Sequence, residues 1–187
     1  MKPAVFLDRD GTLLEEAGYL DRLERLAFFP FGIDAVRLLN RGGYSVVIIT
    51  NQSGVGRGMY DEEFVLRAHQ VVDERVRAGG GRIDGYYYCP HHPEAEVEKF
   101  RKDCDCRKPG PGMLRQAAAD LGLDLSRSFT VGDKWTDVQA GVTPGARGIL
   151  VRTGYGRTSE AGRRPVEPVA IADDLIAATA WILRNGR

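Results

Sequence analysis

Short β-rich runs that alternate with helical patterns are the feature that most limits how this chain can fold. The runs lie at residues 4–7, 45–50, 85–88, 128–131 and 148–151. Helical periodicity separates most of them, with amphipathic patterns at residues 61–78, from residue 111 to a stop at Gly122, and after residue 174. This alternation predicts an α/β fold in three layers, a parallel central sheet with helices on both faces.

The size and charge of the chain exclude several classes of protein. Its 187 residues are the length of one ordinary domain, so we expect a single domain over residues 1–187. Its 26 basic residues balance 26 acidic ones, and the chain therefore lacks a positive field for holding nucleic acid. The longest apolar runs span four residues, such as 46–49, and the start of the chain has too few apolar residues for a signal peptide. We expect a cytoplasmic monomer that binds neither nucleic acid nor membrane.

Polar residues directly follow three of the predicted strands. The first strand leads into Asp8-Arg9-Asp10-Gly11-Thr12, the second into Thr50-Asn51-Gln52-Ser53, and the fourth into Gly132-Asp133-Lys134. In open parallel sheets, ligands bind beyond the carboxyl ends of the strands. We therefore expect the three segments to meet at one crevice.

The acidic residues at these strand ends admit two interpretations. Taken alone, Asp8 and Asp10 before a glycine are typical of a turn or a helix cap. Together with Asp133 and Lys108 they provide what phosphoryl transfer needs: a nucleophile, an acid, cation ligands and a fixed positive charge. A carboxylate about 4 Å from a phosphate dianion is repelled by roughly 8 kcal/mol at an effective dielectric near 20. We expect Mg²⁺ between Asp8 and Asp133, helped by Lys108, to offset that repulsion.

The order of these segments resembles a known superfamily. Asp8-Arg9-Asp10-Gly11-Thr12, Thr50, Lys108-Pro109 and Gly132-Asp133-Lys134 with Asp137 are similar to the four ordered motifs of the haloacid dehalogenase (HAD) phosphatases. The resemblance implies a Rossmann-like fold. No segment between the first and second motifs, or after the second, is long enough for a large cap domain.

The same resemblance implies a role for each motif. Asp8 would be the nucleophile that becomes an aspartyl-phosphate, and Asp10 would act as general acid and then as general base. Thr50 and Lys108 would hold the transferred phosphoryl group. Mg²⁺ would be bound by Asp8, by Asp133 and by the backbone carbonyl of Asp10. Asp137 would hold Lys134 or a metal-bound water, or be an ordinary polar residue of a helix.

A cluster of metal-binding side chains lies between the second and fourth motifs. It consists of Cys89, His91, Cys104 and Cys106. An odd number of cysteines in a chain expected to be cytoplasmic argues against disulfides. Three thiolates and one imidazole form a closed tetrahedral set for structural Zn²⁺; the alternative is scattered buried thiols beside a surface histidine. His92 is the poorer ligand of the adjacent pair. Zinc would shape the loop at residues 89–110 and position Lys108 beside the crevice.

Within the superfamily, the first motif and the zinc loop are similar to two branches, which act on heptose bisphosphates and on histidinol phosphate. Several stretches within residues 4–155 are more similar to the sugar branch than to the other. Lys134 stands where the second branch usually has arginine. The sugar branch implies removal of the 7-phosphate of D-glycero-D-manno-heptose 1,7-bisphosphate during nucleotide-heptose synthesis for lipopolysaccharide. It also implies phosphosugar contacts from Glu16, Ala17, Gly18, Tyr19, Asn51, Gln52, Ser53, Arg107 and Lys134.

Several alternatives stay open at the level of sequence. Arg57 and Arg152 would either help bind a second phosphate or be solvated surface arginines, and Glu15 or Glu16 would suit the cationic amine of histidinol phosphate. A DNA 3′-phosphatase would share the four motifs, although the balanced charge argues against it. A non-catalytic zinc module would leave the acidic motifs without a task. Trp135 has no assigned role, and residues 152–168 are predicted to form a surface loop.

Overall fold

A computed structural model describes residues 1–186 and contains one six-stranded sheet. The strands are β1 (Ala4–Leu7), β2 (Ser45–Asn51), β3 (Gly85–Cys89), β4 (Phe129–Gly132), β5 (Arg147–Val151) and β6 (Ala170–Ala172). Their order in the sheet is β3-β2-β1-β4-β5-β6, and every neighbouring pair is parallel. The parallel sheet predicted from the alternation is confirmed.

Within residues 1–186, seven α-helices connect the strands or follow the last one. They are α1 (Gly32–Arg41), α2 (Ser53–Gly56), α3 (Glu62–Ala78), α4 (Gly112–Leu121), α5 (Trp135–Val142), α6 (Gly156–Ala161) and α7 (Leu175–Asn185). Val5 and Leu7 of β1 face a core shared with α1, α3 and α7, whereas Ala4 and Phe6 face the layer that contains α4. On that second face Val138 of α5 packs against Leu150 of β5. Side chains alternate along a strand, so both faces of the sheet are buried and the three layers are confirmed.

Local signals explain where two of the helices begin and end. The Asp61 carboxylate accepts a 2.7 Å hydrogen bond from the backbone N–H of Phe64 and so caps the start of α3. Helix α4 stops before Gly122, which caps its end. The φ of Gly122 is 64°, in the left-handed region that glycine adopts without strain. Both features agree with the sequence prediction.

The structure differs from the sequence prediction at residues 152–172. The sequence predicts a surface loop over residues 152–168, but α6 lies within that range, and the edge strand β6 follows it. Both elements are short, and hydrophobic periodicity needs a longer window to be recognised. The segment also contacts the first and fourth motifs, as described below.

The connections around β2 form the rim of the crevice rather than a domain of their own. Between β1 and β2 the chain contains a 3-10 turn at Leu23–Arg25, an isolated β-bridge between Leu14 and Phe28, and α1. Between β2 and β3 it contains only α2 and α3. Within residues 1–186 neither connection builds a second sheet, which agrees with the expected absence of a large cap domain. Across the same residues, every helix is too short or too polar to span a membrane.

Candidate functional site

The carboxyl ends of β1, β2 and β4 meet at one crevice of about 430 Å³. Asp8 follows β1 directly, and its backbone N–H donates a 2.9 Å hydrogen bond to the carbonyl of Val131 in β4. Thr50 lies near the end of β2, and Asp133 follows β4. The crevice is lined by Asp8, Asp10, Glu16, Gly18, Tyr19, Leu20, Thr50, Asn51, Gln52, Ser53, Tyr60, Arg107, Lys108, Lys134, Thr136, Asp137 and Tyr155. The three polar segments therefore converge, as their positions after the strands predict.

Lys108 lies between two carboxylates at the bottom of the crevice. Its Nζ is 2.5 Å from Asp8 Oδ1 and 2.7 Å from Asp137 Oδ1, and it donates a 3.0 Å hydrogen bond to the carbonyl of Ile49. All three charged side chains are almost fully buried. Burial favours the neutral amine, but Asp137 and Asp8 together outweigh it and raise the pKa of Lys108 above its ordinary value. Lys108 is therefore a fixed positive charge.

Asp133 completes a group of three buried carboxylates. One oxygen from each of Asp8, Asp133 and Asp137 lies within 4.8 Å of the others. Asp133 Oδ2 accepts a 2.7 Å hydrogen bond from the backbone N–H of Tyr155, whereas Oδ1 is buried without a hydrogen-bond partner among residues 1–186. Burial, reinforced by Asp137, raises the pKa of Asp133 to about 6. Burial also raises the pKa of Asp8; Lys108 opposes this shift, and the neighbouring aspartates add to it.

The charges of this group fit a divalent cation. Three carboxylates share one ammonium, so two negative charges have no counter-charge from Lys108. Mg²⁺ prefers oxygen ligands. Asp133 Oδ1 is such an oxygen, and it has no hydrogen-bond partner among residues 1–186. The expected contribution of the Asp10 backbone carbonyl stays a prediction.

Asp137 bonds one partner that the sequence predicts and one that it does not. The sequence predicts that its side chain holds Lys134 or a metal-bound water, or is an ordinary polar residue of a helix. Asp137 Oδ2 accepts a 2.9 Å hydrogen bond from the backbone N–H of Lys134, and Oδ1 also pairs with the Lys108 ammonium. Both oxygens thus have protein partners, and Asp137 holds the buried lysine while capping α5.

Asp10 is oriented by two neighbours. The Arg9 guanidinium, only 1% exposed, donates from Nε to both carboxylate oxygens at 3.1 Å, and its Nη2 lies 2.9 Å from Oδ2. Gln52 donates from Nε2 to Asp10 Oδ2 at 3.0 Å and to Thr50 Oγ1 at 2.8 Å. The Tyr60 hydroxyl donates to Gln52 Oε1 at 2.9 Å, which explains the orientation of that amide. Asp10 therefore has a defined position at the edge of the crevice.

Most of the expected substrate contacts lie on the rim. Ala17 does not line the crevice; its carbonyl accepts a 2.7 Å hydrogen bond from Arg25. The crevice is also lined by residues that the sequence does not predict for it, namely Leu20, Tyr60, Thr136 and Tyr155. Thr136 lies within the fourth motif, between Lys134 and Asp137, and the other three lie outside the motifs, where spacing carries no signal.

Positive charge at the rim comes from Lys134 and Arg107. Lys134 Nζ lies 3.7 Å from Glu16 Oε2 and 4.4 Å from the centroid of the Tyr155 ring. Arg57 and Arg152 are not among the lining residues. The Arg152 guanidinium is instead held by two ion pairs of 2.7 Å, with Glu160 and with Asp173.

The cysteine cluster beside the crevice is compatible with a zinc site. One ligand atom from each of Cys89, His91, Cys104 and Cys106 lies within 4.8 Å of the others. The sulfurs are 3.1–3.5 Å apart, and His91 Nδ1 is 3.2 Å from Cys106 Sγ. A tetrahedral site with Zn–S bonds of about 2.3 Å separates its sulfurs by roughly 3.8 Å, so the sulfurs would move slightly apart to bind the ion. His92 lies outside the cluster, and its Nδ1 accepts from the Glu94 amide.

The cluster is joined to the crevice through the backbone. The carbonyl of Cys89, the last residue of β3, accepts a 2.8 Å hydrogen bond from the backbone N–H of Gln52. Arg107 donates to the carbonyl of His91 at 3.2 Å. The Asn51 side chain bonds both the N–H and the carbonyl of Lys108, at 3.0 and 3.1 Å. Asn51, the last residue of β2, thereby fixes the backbone of Lys108, which lies two residues after Cys106 in the loop that carries the cysteines.

Known sequences of one family are similar to this chain over most of its length. A family model described as HAD-hydrolase-like matches residues 105–178. The D-glycero-beta-D-manno-heptose-1,7-bisphosphate 7-phosphatase of Photorhabdus laumondii is 45% identical over 161 residues, which cover 85% of each chain. The enzyme of the same name from Escherichia coli K12 is 44% identical over 160 residues, 85% of this chain and 84% of the relative.

Comparison with solved structures agrees. The crystal structure of D,D-heptose 1,7-bisphosphate phosphatase from B. bronchiseptica, complexed with magnesium and phosphate, has a TM-score of 0.87 and 32% identity. The alignment covers 97% of this chain and 98% of that one. The corresponding enzyme from Burkholderia thailandensis has a TM-score of 0.74 and 31% identity, over 97% and 99% of the two chains. This chain belongs to the HAD superfamily and, within it, to the family of D-glycero-D-manno-heptose-1,7-bisphosphate 7-phosphatases.

Proposed function

We propose that this chain hydrolyses the 7-phosphate of D-glycero-β-D-manno-heptose 1,7-bisphosphate, releasing heptose 1-phosphate and inorganic phosphate. The observation that carries the proposal is the buried group of Asp8, Asp133 and Asp137 around Lys108 at the strand ends. The substrate class is taken from the names of the relatives.

Asp8 and Asp10 carry out the two chemical steps. An oxygen of Asp8 attacks phosphorus, forming an acyl phosphate as the bond from phosphorus to the C7 oxygen breaks, and Asp10 gives its proton to that oxygen. Water then attacks phosphorus while Asp10 takes one of its protons, and the Asp8 carboxylate leaves. Atoms and charge balance over the two steps, and Asp10 is returned to its starting state.

Lys108 and Thr50 hold the transferred phosphoryl group. The ammonium is kept charged by Asp137 and Asp8 and is fixed within the buried site, so it offsets negative charge without reorganising. The Thr50 hydroxyl already accepts a hydrogen bond from Gln52, which leaves its own proton free to donate to a phosphoryl oxygen.

Asp8, Asp133 and the Asp10 backbone are the groups that would hold Mg²⁺. When bound, the cation supplies electrostatic stabilisation of charge on the phosphoryl oxygens. Support comes from the unpaired Asp133 Oδ1, the excess negative charge, and the magnesium and phosphate in the related B. bronchiseptica structure.

The second phosphate of the substrate would be bound at the rim. Arg107 and Lys134 line the crevice and bring positive charge beyond that of Lys108. Histidinol phosphate would need a carboxylate for its amine. Glu16 is already engaged, by Lys134 and by the backbone N–H of Gly18 at 2.7 Å. These contacts favour the sugar bisphosphate.

Cys89, His91, Cys104 and Cys106 would hold structural Zn²⁺. The fit rests on the donor set and on the grouping of its four ligand atoms within 4.8 Å of one another. With all four positions occupied by the protein, the ion would shape the loop and would not enter the reaction.

The proposal is tested by comparing turnover of four phosphate esters in one assay: the two anomers of the heptose bisphosphate, histidinol phosphate and a DNA 3′-phosphate. We expect the β anomer to have the highest kcat/KM, at least about ten-fold above histidinol phosphate, with activity lost in EDTA. Equal or faster turnover of histidinol phosphate, or of the DNA end, would overturn the substrate. Inactivity on all four with Mg²⁺ present would favour the non-catalytic zinc module.

A further inference from the structure

The segment at residues 153–159, called the strap below, lies against the two motifs that flank the cation site. The Thr153 hydroxyl donates to the carbonyl of Gly11 at 2.6 Å, and the Tyr155 amide donates to Asp133 Oδ2 at 2.7 Å. The Ser159 hydroxyl donates to the backbone carbonyl of Asp133 at 2.9 Å. Asp133 is therefore held by the strap at both its side chain and its main chain.

Two glycines let the strap approach this closely. Gly11 and Gly154 have φ values of +90° and +51°, and a Cβ on either would overlap the Asp133 carboxylate. The carboxylate thus fits between two backbones with no side chain on either side. A small displacement of the strap would open this space and let the Asp133 side chain move.

Trp135 anchors the strap from the other side. Its indole Nε1 donates a 2.6 Å hydrogen bond to the carbonyl of Ser159, and its ring is buried beside Val138 and Leu150. Trp135 lies only two residues after Asp133 and is the first residue of α5. The buried Trp135 side chain therefore joins the turn that contains Asp133 to the strap.

We propose that Trp135 is a positioning residue for the cation site: through Ser159 it holds the strap against Asp133, which keeps the unpaired Oδ1 available to Mg²⁺. This inference rests on the Mg²⁺ site of the proposed function and adds a residue that has no motif role. A ligand that is in position only part of the time lowers affinity in proportion to that fraction.

The test is the affinity for Mg²⁺ alone, measured by isothermal titration calorimetry on the zinc-loaded full chain without substrate. Trp135→Phe keeps an aromatic ring in the apolar cluster and removes the N–H, and Ser159→Ala removes the hydroxyl that reaches Asp133. The matched control is Trp181→Phe, since Trp181 lies on α7 and packs against Phe129 on the opposite side of the sheet. Circular dichroism checks that each variant is folded.

We expect the Kd for Mg²⁺ to rise about five-fold in Trp135→Phe and in Ser159→Ala, as the loss of one hydrogen bond implies, and to stay within two-fold in the control. In turnover assays the Mg²⁺ concentration for half-maximal rate should rise similarly, with kcat at saturating Mg²⁺ nearly unchanged. Equal Kd values for Mg²⁺ in the wild type, in Trp135→Phe and in Ser159→Ala would overturn this inference and leave the proposed function standing. A wild-type chain that binds no Mg²⁺ would overturn the cation site as well.

Discussion

At the scale of single residues, the centre of the crevice has more negative than positive charge. Asp8 is buried against Lys108 and close to the carboxylates of Asp133 and Asp137. Burial raises the energy of the ionised Asp8; Lys108 opposes this effect and the neighbouring aspartates add to it, and the net result is an upward shift of the pKa of Asp8. The Asp8 carboxylate is thus buried at a cost to stability that a bound cation would offset.

We predict that Asp8→Asn abolishes activity without unfolding the chain. Turnover should fall at least about a thousand-fold, because the amide can neither attack phosphorus nor form an acyl phosphate. Rapid quenching with ³²P-labelled substrate should leave label on the wild type and none on the variant. In EDTA the free energy of unfolding should be no lower than in the wild type, since one of the crowded negative charges is gone.

The control for this variant is Asp120→Asn, which changes a carboxylate of α4 that bonds the Tyr87 hydroxyl away from the crevice. It should retain full turnover. An active Asp8→Asn enzyme would contradict the nucleophilic role.

Sequence could predict the residues of the motifs but not all of their partners. Asp8, Thr50 and Asp133 carry the signal of charged or polar residues placed at strand ends, and Lys108 belongs to a motif in the loop before α4. Tyr60 and Tyr155 reach the crevice because loops fold back over it, which no spacing rule encodes. The pairing of Asp137 with Lys108 likewise depends on how a loop and a helix pack, so the sequence could only suggest a nearer partner.

At the scale of elements, the loop that carries the cysteines also carries Lys108. The cysteine cluster is joined to the crevice through Cys89, His91 and Arg107. If zinc shapes the loop, losing the metal should disturb the lysine as well as the fold.

We predict that His91→Ala lowers zinc content, thermal stability and activity together, whereas His92→Ala leaves all three unchanged. The two histidines are neighbours, but only His91 lies within the sulfur cluster. Zinc content is measured by inductively coupled plasma mass spectrometry, alongside melting temperature and kcat. Full activity in a chain verified to contain no zinc would refute the coupling.

The cap of α3 allows a prediction about stability alone. Asp61→Ala removes the acceptor for the Phe64 amide and should lower the free energy of unfolding by about 1 kcal/mol. Asp61→Ser should retain most of that stability. Because Asp61 does not line the crevice, kcat should not change. Urea denaturation measures the first effect, and equal stability of the alanine and serine variants would contradict the capping role.

Longer elements were more predictable than short ones. Helix α3 has seventeen residues, and its cap and apolar face could be read from the sequence. Strand β6 has three residues and α6 has six, too few to show a period. Their positions follow from packing against β5, which a search for periodicity within each element does not detect.

At the scale of the whole molecule, one buried histidine should make stability depend on pH. His69 of α3 is buried against Tyr86, with ring centroids 4.9 Å apart, and burial lowers its pKa to about 3. Below pH 6.5 the unfolded chain therefore binds a proton at this position that the folded chain does not bind. This favours unfolding increasingly as the pH falls from about 6.5 towards 3.

We predict that His69→Phe removes this dependence. Between pH 6 and pH 4 its free energy of unfolding should fall less steeply than that of the wild type, by up to about 1.4 kcal/mol per pH unit. The other titrating groups are the same in both chains, so the difference isolates His69. Urea denaturation at several pH values measures it, and parallel slopes would contradict the prediction.

The expectation of a monomer stays a prediction. Large exposed apolar side chains, such as Met59, Leu66 and Val169, lie in different parts of the described chain. Scattered residues of this kind do not by themselves create an interface. Light scattering after size exclusion should give a mass near 20.6 kDa, and twice that mass would contradict the expectation.

The backbone hydrogen bond between Asp8 and Val131 has a consequence for how such an enzyme can diversify. The residues of the hydrolytic step stand on adjacent strands whose positions the whole sheet dictates. The groups around the entrance, such as Gly18 and Tyr19, belong to connecting segments that can be exchanged more freely. New preferences among phosphate esters can therefore arise by remodelling the entrance, while the hydrolytic centre is inherited unchanged.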